Sequence, residues 1–114
     1  MTDPIKELTK QEGITRRMTR DLYADVKEIQ TEKDRLAKME AQGAEEPRIN
    51  IQRQVLKEAE DGILDTLARL SKQIKIFEKT IKEIESKPIE AETQLEKAHA
   101  TLAEAQRMYE EHKK

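Results

Sequence analysis

The side chains best suited to recognising another protein lie in one short stretch near the N-terminus. Residues 15–20 read TRRMTR, and Tyr23 follows about one helical turn later. Spacings of three and four residues would place the three arginines and the tyrosine on neighbouring faces of a helix, and Arg and Tyr are enriched at the energetic centres of protein interfaces. The pattern therefore predicts a partner-binding surface made of Arg16, Arg17, Arg20 and Tyr23. The same pattern also fits a solvated helix face, and the residue types alone do not decide between the two.

A second candidate surface is formed by Arg53 and Gln54, with Lys57 one turn further along the chain. Mixed charged helix faces are usually just solvated, so that alternative stays open here as well.

Catalytic or metal-binding chemistry finds little support in the sequence. The two histidines, His99 and His112, fall far apart on one predicted helix, so they would not bind the same metal ion. There is no cysteine, and three glycines in total do not make a phosphate-binding loop. We therefore predict no catalytic residue, no metal site and no cofactor, and a protein that is not an enzyme.

The composition argues against several kinds of partner. Charged residues make up 40% of the chain and hydrophobic residues 35%, yet the formal net charge is only −2. A nucleic-acid-binding protein would show a basic excess and aromatic stacking residues, whereas only 3% of this chain is aromatic. No apolar run reaches the length that spans a bilayer, and the apolar stripes are narrow for a membrane-surface helix. We expect no nucleic acid and no membrane among the partners, and a cytoplasmic location.

Apolar residues recur at helical spacing from the start of the chain. Asp3 followed by Pro4 is typical of a helix start, because the carboxylate accepts hydrogen bonds from free backbone N–H groups and proline suits the first turn. We predict a first helix over about residues 4–41, whose stripe is interrupted only at Glu32 and Lys33. The stripe consists of Ile14, Met18, Leu22, Val26, Ile29, Leu36 and Met39.

The second helix has the clearest pattern. Gly43 and Pro47 mark a loop before it, since glycine favours the end of a helix and proline cannot continue a preceding one. With Asn50 as its cap, the helix is predicted over about residues 50–85. Gly62 comes just before the apolar seam and predicts a bend or weak point. The seam follows a heptad repeat through Ile63, Leu67, Leu70, Ile74, Phe77, Ile81 and Ile84.

The third helix is predicted over about residues 88–112, with Pro88 in its first turn. Its seam alternates alanine with larger residues: Ala91, Leu95, Ala98, Leu102, Ala105, Tyr109 and His112. Short connections make sequential helices antiparallel neighbours. The predicted fold class is therefore all-α, an antiparallel three-helix bundle with coiled-coil-like packing that forms a single domain over residues 1–114.

Several segments, in order and at matching spacing, resemble the tubulin-binding cofactor A family of small tubulin chaperones. They are DP at 3–4, GITRRMTRD at 13–21, AKM at 37–39, IQRQVLKE at 51–58 and ILD at 63–65. The likeness covers about residues 3–78, and beyond them only the helical pattern is similar. Leu64 stands where the family tends to have a proline, and residues 47–50 lack the family's usual loop aromatic. The family's fold is a three-helix bundle, which agrees with the periodicity.

The resemblance implies a tubulin-folding cofactor. Such a protein is an ATP-independent chaperone that binds β-tubulin after its release from the cytosolic chaperonin and holds it for assembly of the tubulin heterodimer, in the cytoplasm and at the microtubule cytoskeleton. Other tubulin cofactors are further candidate partners. By match to the family, the residues expected to face the partner are Arg16, Arg17, Arg20, Tyr23, Arg53 and Gln54.

Two other functions remain open from the sequence. A coiled-coil scaffold or dimerisation module would pair the second helix with a copy of itself, but it would not need the alanine-rich third helix. A prefoldin-like subunit would act only inside a hetero-oligomer and should fold poorly alone. The sequence leaves open whether the protein is a monomer or a homodimer, and whether it selects β- over α-tubulin.

Overall fold

Residues 3–113 of the chain are described in a computed structural model, and they form three helices. The helices are α1 (Pro4–Ala41), α2 (Glu46–Glu85) and α3 (Glu92–His112). The described residues contain no β-strand, and the all-α prediction is confirmed. Three residues of the predicted domain lie outside the described part of the chain: Met1, Thr2 and Lys114.

Helix α1 begins and ends where the sequence predicts. The Asp3 carboxylate accepts a hydrogen bond from the backbone N–H of Ile5 at 3.0 Å, which satisfies one of the free donors of the first turn. At the other end Gly43 has a φ of 71°, a conformation that glycine adopts without strain. The N–H of Ala44 reaches back to the carbonyl of Met39 at 3.0 Å, so the end of the helix is closed by a Schellman turn.

The start of α2 differs from the prediction. The helix begins at Glu46 rather than near residue 50, so the loop is shorter than expected. The reason is Pro47, which lies in the first turn of α2, where its fixed φ and missing N–H suit the helix. Asn50 is therefore not the cap. Its side-chain oxygen accepts a hydrogen bond from Arg53 inside the first turns.

The start of α3 also differs, because the helix begins at Glu92 rather than at residue 88. Residues 88–91 form a non-helical connection. Within it Ala91 is 2% exposed, and Ile89 packs against the same buried cluster. The connection therefore contributes to the core, and the first N–H···O bond of α3 runs from Leu95 back to Ala91 at 2.8 Å.

The three helices form an elongated bundle of 66 × 21 × 21 Å. Later residues of α1 contact earlier residues of α2, and later residues of α2 contact earlier residues of α3, so both pairs are antiparallel. Helices α1 and α3 are parallel. At 1.5 Å per residue, α1 and α2 are each nearly 60 Å long and α3 is only about 31 Å. At its end His112 lies beside Ile29, Glu60 and Ile63. Beyond this level only two helices continue.

This difference in length divides the bundle into two regions. The three-helix half contains α3 and the parts of α1 and α2 beside it. The two-helix arm consists of residues 30–41 of α1 and 46–62 of α2, joined by the turn at Gly43.

The apolar core lies in the three-helix half and has two clusters. The cluster nearer the arm contains Leu22, Ile63, Leu67, Leu70, Ile74, Ala105 and Met108. The cluster at the far end contains Leu8, Phe77, Ile81, Ile84, Ala91 and Ala98. The predicted seam of α2 therefore lies in the core, and small alanines on α3 allow that helix to approach closely.

The apolar stripe predicted for α1 is only part of its buried face. Leu22 is buried, and Met18 packs against the same cluster, but the buried polar positions were not predicted. Buried positions there include Glu12, Thr15 and Thr19, at 4%, 0% and 5% exposure, whereas Ile14 lies at the edge. The threonine hydroxyls are satisfied because each donates to the carbonyl four residues earlier, both at 2.8 Å. Gln73 of α2 adds a hydrogen bond to Thr15 at 3.2 Å. The buried face is thus partly polar, which hides it from a search for apolar residues.

The interior of the two-helix arm is also polar. Gln52 of α2 donates to the Glu32 carboxylate at 2.7 Å and to its backbone carbonyl at 3.1 Å. Arg35 pairs with the same carboxylate at 3.0 Å. Glu32 is 6% exposed, so the polar gap expected at this position is filled by a buried contact between α1 and α2.

Helix α2 continues through Gly62 without interruption. An added Cβ at this glycine would meet nothing within 4 Å, so no close approach requires a glycine here. The predicted weak point is not a break in the helix.

Candidate partner-binding surface

The predicted arginine cluster lies on the outer side of α1, but its members are not equivalent. The Arg16 guanidinium pairs with Glu12 at 3.3 Å, and the Glu12 side chain is only 5% exposed. That carboxylate also accepts from the hydroxyl of Thr101 at 2.6 Å and lies 3.8 Å from Lys97 of α3. Arg16 therefore helps to neutralise a buried acid that connects α1 with α3, a structural role that the sequence did not reveal.

Arg17 and Arg20 are exposed and, among residues 3–113, neither forms an ion pair or a side-chain hydrogen bond. Their charge is therefore available to an outside partner. Unpaired guanidinium groups can bind carboxylates in a bidentate geometry. These two arginines are the members of the predicted set that best fit a partner-binding role.

Tyr23 connects α1 to α3 through its hydroxyl. The phenol donates to the Glu104 carboxylate and accepts from the Arg107 guanidinium at 2.7 Å, and Arg107 also donates to Glu104 at 2.6 Å. The hydrogen bond to Glu104 raises the pKa of Tyr23. Hydrogen bonds from Arg107 first, and from Tyr23 second, lower the pKa of Glu104. Glu104 and Arg107 were not predicted, since nothing in their local sequence indicates contact with a residue far earlier in the chain.

A shallow groove of about 310 Å³ runs between α1 and α3 beside this network. Its walls are mostly apolar carbon, and Tyr23 is 45% exposed although its hydroxyl is bonded. The ring therefore offers a flat apolar face to a partner. The residues that line the groove are Arg16, Thr19, Arg20, Tyr23, Ala100, Thr101 and Glu104.

Arg53 and Gln54 lie elsewhere, on α2 in the two-helix arm. Because Gln52 contacts Glu32, this part of α2 stands about 17 Å along the bundle axis from Arg20. Arg53 pairs with Glu46 at 3.0 Å. The structure does not bring these two candidates together with the α1 cluster.

The histidines lie at the edges of the bundle. His99 is half exposed and its Nε2 lies 3.1 Å from a Glu85 oxygen, joining α3 to α2. His112 lines a groove of about 230 Å³ at the end of α3. Within residues 3–113 no group of three or more His, Cys, Asp or Glu side chains is arranged to hold a metal ion. No helix in that range is long and apolar enough to cross a membrane.

The chain resembles a known protein family both in sequence and in structure. The sequence profile of the Tubulin binding cofactor A family matches residues 3–102. Tubulin folding cofactor A from Arabidopsis thaliana has a similar crystal structure, with a TM-score of 0.86 and 26% identity over 91% of this chain and 96% of that chain. Tubulin-binding cofactor A from Leishmania major shares the fold, with a TM-score of 0.78 and 23% identity over 95% and 98% of the two chains. No curated protein sequence matches significantly.

The family profile and the helical-bundle fold together support a chaperone of the tubulin-binding class. Since the profile spans most of the sequence, the chain belongs to the tubulin-binding cofactor A family. Membership implies tubulin as a partner.

Proposed function

We propose that this chain is an ATP-independent chaperone that binds β-tubulin after release from the cytosolic chaperonin. It acts in the cytoplasm, as a single three-helix domain, and holds β-tubulin until the heterodimer with α-tubulin is assembled. A chaperone of this kind needs no nucleotide, because its binding alone stabilises the folded form of β-tubulin by mass action.

The proposal rests on family membership together with one structural observation: two arginines on α1 form no ion pair within residues 3–113. Arg17 and Arg20 carry exposed charge without an acidic partner among the described residues. Tubulin is an acidic protein, so electrostatic attraction would speed the encounter and contribute to affinity. The exposed ring of Tyr23 beside Arg20 adds apolar contact area of the kind found at interface centres.

The first experiment is capture of β-tubulin newly released from the chaperonin, with α-tubulin as the control. We expect one-to-one capture of β-tubulin only. Affinity should fall as the ionic strength rises, because exposed charge pairs are screened by salt. No capture by a protein that is helical and folded would reject the proposal.

The second experiment reverses the free charges. The double variant Arg17→Glu/Arg20→Glu should bind β-tubulin at least about tenfold more weakly, the loss of about 1.4 kcal/mol expected at a binding centre. The matched control is Lys27→Glu/Lys33→Glu, which makes the same charge change at two exposed positions of α1. Equal losses in the two variants would show that only net charge matters and would remove the specific role of the arginines.

Arg16 is a poor choice for this test, because its removal would weaken compensation of the buried Glu12 carboxylate and so affect folding. Arg53→Ala/Gln54→Ala shows whether the surface extends into the two-helix arm. Since Arg53 is already paired with Glu46, we expect a smaller loss than from the α1 variant.

A further inference from the structure

The outward face of α2 in the three-helix half carries a concentration of positive charge. Residues 69–82 contain five basic side chains and a single acidic one, Glu78. The excess is invisible over the whole helix, because acidic residues at 58–65 balance it. The exposed lysines recur at alternating steps of three and four, which places them along one helix face: Lys72, Lys75, Lys79 and Lys82.

Glu78 and Glu83 line a shallow depression with Lys75, Lys79 and Lys82, but they form no direct ion pair with them. None of the four lysines forms an ion pair within residues 3–113. The one acidic residue of the segment, Glu78, instead accepts a hydrogen bond from Gln106 of α3 at 3.3 Å. Ile76 lies among the lysines and is 50% exposed. It is four residues after Lys72 and three before Lys79, so both ammonium groups flank it on the helix surface.

Helix α1 presents a similar arrangement. Ile14 lies four residues after Lys10 and three before Arg17, so it is flanked by two cations in the same way. Ile14 and Arg17 line a shallow depression of about 390 Å³. Lys10 and Arg17 are exposed. Each helix thus offers one isoleucine between two exposed cations.

The two isoleucines share one face of the α1–α2 hairpin. The Gln73 amide of α2 donates to the Gln11 side chain of α1 at 2.7 Å and to the Thr15 hydroxyl at 3.2 Å. Gln11 and Gln73 therefore face each other between the two helices. Ile14 follows Gln11 by three residues, and Ile76 follows Gln73 by three. In an antiparallel pair, these equal steps turn both isoleucines to the same side of the hairpin, within about one helical turn of each other along the axis.

We propose that this surface binds an acidic segment of a partner protein that also carries a large apolar side chain. We call it the isoleucine–cation face, and it consists of Lys10, Ile14, Arg17, Lys72, Ile76 and Lys79. Carboxylates of the segment pair with the four cations, and its apolar side chain covers the two isoleucines, as in binding of an amphipathic helix to a groove. The inference does not depend on tubulin being the source of the segment.

The test uses the full chain with isotope-labelled isoleucine methyl groups and a synthetic helical peptide of glutamate with leucine at every third or fourth position. We expect saturable binding with the largest methyl shifts at Ile14 and Ile76, and affinity that falls with added salt. Two further peptides separate the contributions: one with serine in place of leucine, and one with lysine in place of glutamate. Both should bind more weakly. Shifts located elsewhere, or equal affinity for the lysine peptide, would overturn the proposal.

Variants of α2 complete the test. Ile76→Ser removes the apolar contact, and Lys72→Glu/Lys79→Glu reverses two of the cations; each should weaken peptide binding at least about fivefold. Since all three side chains are exposed, the fold should not depend on them. The matched control Lys33→Glu/Lys38→Glu, at two exposed positions of α1 in the two-helix arm, should bind the peptide about as well as the wild type. Unchanged affinity in both α2 variants would reject the proposal, whatever the outcome of the β-tubulin experiments.

Discussion

The two-helix arm and the three-helix half are built on different interiors. In the three-helix half, Leu22, Leu70 and Phe77 are each 0% exposed, and they are covered from three sides. In the arm, the buried side chains are Ile49 and the polar pair of Glu32 and Gln52. A hairpin of two helices can only cover a narrow stripe, so its larger apolar residues remain partly exposed.

The difference shows where the stability of the molecule resides. Burial of apolar surface dominates the free energy of folding, so the three-helix half should supply most of it. The arm should open locally at a lower free energy than the rest, because regions with few buried apolar contacts are the first to exchange their amide hydrogens. The surfaces proposed for binding, apart from Arg53 and Gln54, lie in the stable half.

The largest expected effect comes from the same truncation made in each region. Leu70→Ala should lower the free energy of unfolding by about 2–5 kcal/mol, since it leaves a cavity among three helices. Leu56→Ala in the arm should cost about 1 kcal/mol, because that side chain is half-buried and its site is open to solvent. Urea unfolding of both variants measures the difference. Equal losses would contradict the division into two regions.

Loss of a polar contact should destabilise the protein more in the two-helix arm than in the three-helix half, the opposite order to the leucine truncations. Gln52→Ala removes the donor that α2 supplies to the buried Glu32 carboxylate and carbonyl, and leaves the carboxylate only its pair with Arg35 on the same helix. We expect a loss of about 1–3 kcal/mol. Gln73→Ala should cost less, since Thr15 keeps its bond to the Gln11 carbonyl. Chemical denaturation and amide exchange of residues 46–60 test this. A larger effect at Gln73 would mean that the arm does not rely on its polar pair.

Replacing a glycine in each region should stabilise the protein and show whether the two-helix arm opens independently of the three-helix half. Gly13→Ala and Gly62→Ala each add a methyl group that meets nothing within 4 Å in a continuous helix, so each should add up to about 1 kcal/mol. Only Gly62→Ala should slow amide exchange in the arm, because Gly62 is the last arm residue of α2. Slower arm exchange in Gly13→Ala would show that the two regions open together.

The smallest effect concerns the link between α1 and α3. Because the pKa of Tyr23 is raised, its hydrogen bond to Glu104 stabilises the fold below about pH 10, the ordinary tyrosine pKa, and the stabilisation is lost as the pH rises through the folded-state pKa. Because the pKa of Glu104 is lowered, its contribution is present above about pH 4.3 and is lost as the pH falls through its folded-state value.

Tyr23→Phe should therefore be slightly less stable than the wild type between these limits. The difference should be constant near neutral pH and shrink in alkaline solution, where the wild-type phenol ionises. Thermal unfolding of both proteins across the pH range measures it. A difference that persists unchanged at high pH would show that the phenol does not act through its proton.

The sequence predicts the architecture well where the packing is apolar. The heptads of α2 are visible because every core position carries a large hydrophobic residue. The seam of α1 is visible only in part: Leu22 follows the apolar pattern. Glu12, Thr15 and Thr19 do not, since they become buried only when their polar atoms find partners on α2, α3 or their own helix. Pro47 shows the limit of local signals, because the same residue can end one helix or begin the next.

The sequence predicts which residue types form the candidate surface, but not which of their charges are already paired within the protein. Arg16, Arg17 and Arg20 look equivalent in the sequence, and only the buried position of Glu12 separates Arg16 from the other two. The lysine cluster of α2 does not appear in the net charge of that helix, because acidic residues earlier in the same helix cancel it.

The polar contacts between α1 and α2 have a consequence for alignment. Gln11, Asp25 and Glu32 are spaced by whole heptads, and they bond to Gln73, Thr66 and Gln52. An apolar heptad seam repeats, so it alone would tolerate a slip of one helix past the other by seven residues. A slip in one direction would place Ala59 against Asp25, and in the other direction against Glu32. Either register would leave one of these α1 carboxylates without the hydrogen-bond donor that α2 supplies to it, so the polar residues select a single register.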